Sequence, residues 1–157
     1  MKKIPKDNRD KLWADLEADI QERANKKDEA NILKGKWKKF IRMEDGFKVF
    51  SVDGSWIRNN LSIIFGHGGH GYVHEFIPLD EIWITTHHWN ENKWNKCECK
   101  NVKKDKKLSQ AYFDSCTIHE ITEFKEMEKG KSFWPAHKIA LNKEREIKLL
   151  PDPDTEI

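Results

Sequence analysis

The chain has 157 residues, 37% hydrophobic and 36% charged, with a mean hydropathy of −0.87, so it suits one small domain with an arm rather than two full domains. Lys+Arg 29 against Asp+Glu 27 leaves a formal net charge of +2, too balanced to announce nucleic acid or an anionic membrane by charge alone. No apolar run is long enough to span a bilayer, and MKKIPKDNRDK is basic with no apolar segment behind it, which reads as a cytoplasmic protein with no membrane partner.

In chain order, Asp7 to Leu33 reads as an amphipathic helix, with Leu12, Trp13, Leu16 and Ile20 on one stripe and charge elsewhere. Residues 1–36 are therefore an amino-terminal helical arm. From Trp37 the period shortens. WKKFIRM, FKVFSVDG and SWIRNNLSIIFG carry β-branched and aromatic residues, and Asp45-Gly46 and Asp53-Gly54 are hairpin-turn signals. YVHEFIPLDEIWITTHHW predicts two more short strands around a turn near Pro78. These segments predict an antiparallel sheet of about four strands.

Asn90 to Lys107 is polar and basic and reads as a surface loop. The helical period returns in LSQAYFDSCTIHEITEFKEMEKG, capped by Ser109 and stopped at Gly130. A second helix opens at Ser132, carries Pro135 in its first turn, and runs through AHKIALNKEREIKLL to a stop before Pro151. Strands grouped together and followed by helices give an α+β domain over 37–150, its sheet covered by a carboxy-terminal helix pair, with 151–157 a disordered tail.

Chemistry concentrates in TIHEITEF. Side chains four apart share a helix face, so His119 and Glu123 reach one point, and both imidazole and carboxylate are ordinary zinc ligands. A solvated helix face carries the same spacing by chance, so the second helix matters. It offers His137 as a third ligand. Glu144, seven residues on and on the same face, is either a further ligand or a carboxylate that orients an imidazole. Glu120, directly after the first ligand, stands where an HExxH helix keeps its general base.

A second unusual stretch is GHGGHGYVHEF, Gly66 to Phe76. Its glycines suit a hairpin loop or a close backbone approach, and His70 is a candidate for facing the helix pair, as a ligand or as the electrophile that stabilises an oxyanion, with Glu81 as its support. The three cysteines, Cys97, Cys99 and Cys116, read as free thiols. A structural zinc on Cys97 and Cys99 with two of His87, His88 or Cys116 is the alternative, and Trp89 and Trp94 among lysines are candidates for stacking on bases or a peptide.

HEITE followed by EKGKSFWPAHKIALNKE resembles the HExxE…AHxxAxxxE pattern of zincin-like metallopeptidase-type domains found in phage and mobile-element proteins. The resemblance covers the last third of the chain. It departs where the pattern has a small residue and Tyr before Ala-His, since this chain has Phe133, Trp134 and Pro135. It implies a zinc or other divalent-metal site, a hydrolase active on a peptide or host protein, and a product that works in a host cytoplasm. Two alternatives stand beside it. One is a metal-dependent phosphodiester or nucleotide hydrolase that holds phosphate with the Gly66–Gly71 turn, Lys100 and Lys103. The other is a non-enzymatic binding or inhibitor module aimed at a host factor.

Overall fold

The computed structural model describes residues 36–86 and 110–149, together with Asp15, Ala18 and Ile20, all three of which are helical. The rest of the expected amino-terminal helix, the Ser109 cap, the basic loop with Cys97 and Cys99, and the tail lie outside the described residues.

β1 (Lys38–Glu44) and β2 (Phe47–Val52) form the expected hairpin. Asp45 and Gly46 have φ of 53° and 85°, the paired positive angles of a two-residue turn whose twist matches that of the strands. The second Asp-Gly pair behaves differently. Asp53 accepts a hydrogen bond from the Trp56 N–H at 3.1 Å and caps α1 (Gly54–Asn60), so the strand expected in SWIRNNLSIIFG is a helix that begins at Gly54. Aspartate suits a helix N-cap as well as a turn, and here the cap prevails. YVHEF is not a strand either. After β3 (Gly68–His70) the chain turns back, with the His74 N–H donating to His70 O at 3.0 Å, and among the described residues β4 (Glu81–Thr85) is the one strand that follows.

Among the described residues the sheet has the expected four strands, in the order β1-β2-β4-β3. It is mixed rather than antiparallel, because β2 and β4 run parallel, Lys48 opposite Glu81 through Val52 opposite Thr85. A parallel pair needs a crossover of a dozen residues or more, and α1, β3 and the turns around them occupy it.

Each face of the sheet has its own core. Phe47, Val49, Ile82 and Ile84 point to one side, where Phe113, Ile121 and Phe124 of α2 (Gln110–Glu128) meet them, and Phe124 stands edge-on to Phe47 at 4.8 Å. Val52 and Trp83 alternate to the other side and pack with Ile57, Phe65 and Ile77. α3 (Phe133–Ile147) returns along α2 after Gly130, whose φ of 104° ends the earlier helix. The helix pair expected over the sheet is present in this form: α2 lies on the strands and α3 lies on α2. The fold is α+β. No helix among the described residues is long and apolar enough to cross a membrane.

Candidate metal centre

α2 is buried on two sides, and the two sides differ in chemistry. Phe113, Ile121 and Phe124 face the sheet, while Ser115, His119 and Glu123, at i, i+4 and i+8, face α3. His119, Glu123, His137 and Glu144 are all buried. Such polar groups are tolerated inside a protein only when they satisfy one another.

They do so closely. His119 Nε2 lies 3.1 Å from Glu123 Oε2 and 3.1 Å from His137 Nδ1, and His137 Nδ1 lies 2.8 Å from Glu123 Oε2. Behind His119, Glu144 Oε2 accepts from Nδ1 at 2.8 Å, and Glu144 Oε1 accepts from Ser115 Oγ at 2.6 Å. A carboxylate on Nδ1 keeps a proton on that nitrogen, so when the ring gives up its other proton Nε2 is the atom that offers a lone pair to the centre. Glu144 thus contacts His119 on the ring nitrogen opposite the one that faces Glu123 and His137. Ser115 was not singled out by the sequence reading, although it sits four residues before His119, the same interval that identifies Glu123.

His70 joins from β3, its Nε2 2.9 Å from Glu123 Oε1 and 4.0 Å from Glu120 Oε2. Glu120 is close to Gly68: a Cβ there would come within 3.1 Å of Glu120 Cγ and Oε1, so the Gly-Gly pair leaves room for this carboxylate. At Gly69 a Cβ would meet His74 Cδ2 at 2.5 Å, which explains the second glycine. His74 thus packs behind the strand and does not share a face with His70. His67 contacts Tyr112 of α2, Nδ1 to Oη 3.3 Å. Cys116 is half-buried and packs against the sheet-side core. Aromatic rings flank the centre. Phe133 stacks on His137 at 5.1 Å, Trp134 stands edge-on to it and is half exposed, and Tyr72 leans on Phe124.

The electrostatics follow from the contacts. Burial disfavours a charged His119, but the hydrogen bonds to Glu123 and Glu144, with the charges of Glu120 and Glu144, overcome it and raise its pKa well above 6.5. Burial would lift Glu123, yet hydrogen bonds to His119, His137 and His70 outweigh it and hold the carboxyl well below its ordinary 4.5.

The donor set suits a divalent cation. Three atoms that each offer a lone pair converge only around shared protons or a metal ion, and two imidazoles with one carboxylate is a zinc-type set. Ligands about 2.1 Å from a tetrahedral zinc stand about 3.4 Å apart, so edges of 2.8–3.1 Å open by a few tenths of an ångström to admit one. Comparison with protein-family models, with curated proteins and with solved structures returns no match.

Proposed function

We propose that the chain is a metal-dependent hydrolase of zincin-like type, acting on a peptide bond in a peptide or protein partner. The observation that carries this reading is the triangle of His119 Nε2, Glu123 Oε2 and His137 Nδ1, with edges of 2.8–3.1 Å, backed by Glu144 on the far nitrogen of His119. These three residues hold the cation, with zinc the natural occupant. When bound, it supplies Lewis acidity, bringing water toward a pKa of about 7 and polarising a carbonyl oxygen.

The chain's own residues account for the remaining chemistry. Glu120 is partly exposed beside the buried His70, which suits a base that reaches both the centre and an entering substrate. Its carboxylate takes one proton from the attacking water and passes it to the departing amine nitrogen as the carbon–nitrogen bond breaks. Half-exposed Trp134 and Tyr72, with Phe133 against His137, give the centre an apolar flank that favours bulky side chains over phosphate. The phosphodiester reading rests on the Gly66–Gly71 turn, whose Gly68–His70 stretch is strand β3, and on Lys100 and Lys103, which like Trp89 and Trp94 lie outside the described residues.

The test is metal content by mass spectrometry on untagged protein, followed by a fluorogenic peptide library. About one zinc per chain is expected in wild type and in Glu120→Gln, and none in His119→Ala. Cleavage by wild type should fall about 10²–10⁴-fold in Glu120→Gln. Wild-type protein that takes up no divalent metal would end this reading.

A further inference from the structure

Glu123 belongs to two constellations at once. Oε2 faces His119 and His137, and Oε1 faces His70, which is itself near Glu120. Among the described residues, His119–Glu123–His137 and His70–Glu120–Glu123 each bring three ligand atoms within 4.8 Å of one another. By count alone this is a two-metal site bridged by one carboxylate, an arrangement common among metallohydrolases.

The backbone of Tyr72 argues otherwise. Its N–H donates to His70 Nδ1 at 3.2 Å. A nitrogen that accepts carries no proton, so the single proton of the neutral ring sits on Nε2, 2.9 Å from Glu123 Oε1. A protonated Nε2 has no lone pair to give a metal. The opposite tautomer, or an imidazolium, would set an Nδ1–H against the Tyr72 N–H on a ring with no exposed surface, leaving a buried donor without its acceptor.

We propose that His70 is a positioning residue and not a ligand: it donates Nε2–H to Glu123 Oε1, so that Glu123 presents Oε2 alone and the centre holds a single cation. This rests on the reading that His119, Glu123 and His137 take a metal. The consequence is mechanical. One carboxylate oxygen is reserved by His70, which keeps Glu123 from closing both oxygens on the ion and leaves a coordination position for water or substrate. Glu120, with no second ion to hold, keeps its carboxylate for the proton.

The experiment is imidazole proton–nitrogen NMR on the full-length ¹⁵N-labelled chain, first metal-free under chelator and then titrated with zinc, with His70 assigned through His70→Gln. His70 should be in the Nε2–H form before and after zinc, while the ring nitrogens of His119 and His137 shift and saturate at one zinc per chain. By chelator competition, His70→Ala should lose about 10–100-fold in zinc affinity. His70→Gln, whose amide N–H still reaches Glu123, should stay within about tenfold of wild type. The visible spectrum of the cobalt(II) form should change in His70→Ala, as the carboxylate closes on the ion, and not in His70→Gln. Saturation at two zinc ions with loss of the His70 Nε2 proton would overturn the proposal, as would an Nδ1–H tautomer in the metal-free chain. Zinc that leaves His119 and His137 unshifted would end the metal reading and the role of His70 toward a cation with it. That failure is distinguishable, because the His70 tautomer is read before any metal is added.

Discussion

Glu123 is a buried carboxylate kept ionised by three imidazoles, one each from β3, α2 and α3. Its depressed pKa contributes stability that is complete above about pH 4.5 and lost as pH falls through the lowered value. His119 works in the opposite sense. Its raised pKa contributes stability that is complete below about pH 6.5 and lost as pH rises through the raised value. The metal-free chain should therefore be most stable between about pH 4.5 and 6.5 and lose melting temperature on the alkaline side, as chelated thermal scans across pH will report. Zinc competes with the His119 proton, so its affinity should weaken with acid from a higher pH than an ordinary histidine would set, measurable by calorimetry at several pH values. Glu144→Ala, which removes the carboxylate behind His119, should cost about 10–100-fold in zinc affinity in a chelator competition. The main side chains of this centre were legible in the sequence because helical intervals of four and seven residues place them on facing sides. The proton on His70 was not legible, since it is fixed by a backbone N–H that no residue type announces.

At the level of elements, the two Asp-Gly pairs show where local reading stops. Both suit a hairpin turn, and only Asp45-Gly46 makes one; at Asp53 the side chain turns to the Trp56 N–H and starts a helix instead. Asp53→Ala removes that cap and should cost about 1 kcal/mol in a denaturant melt. The parallel pairing of β2 with β4 was equally hidden, because the alternation of apolar residues is the same whichever way a neighbouring strand runs. The glycine run becomes interpretable only with α2 in place. Gly68→Ala would crowd Glu120 and the Ile84 side chain, its Cβ 3.0–3.1 Å from both. The expected outcome is a turnover defect with zinc content preserved, since the displaced carboxylate is the proposed base and the three proposed ligands are untouched.

Across the whole molecule, α2 is the shared wall between an apolar core and a polar one. The sheet holds it through Phe113, Ile121 and Phe124, and α3 holds it through Glu144 and His137. Metal therefore bears unequally on the fold. Zinc at about 100 times its dissociation constant should add about 2.7 kcal/mol to unfolding, with the gain in amide-exchange protection falling first on α3. The three proposed ligand atoms lie within the single hairpin of α2 and α3, only 18 residues apart at their widest, while the His70 contact closes a loop of 53 residues. Short loops close at less entropic cost than long ones. On the proposed metal reading, a growing or refolding chain can thus meet a cation at the helical hairpin first and acquire the hand that steadies Glu123 last, so the order of assembly runs from capture to calibration.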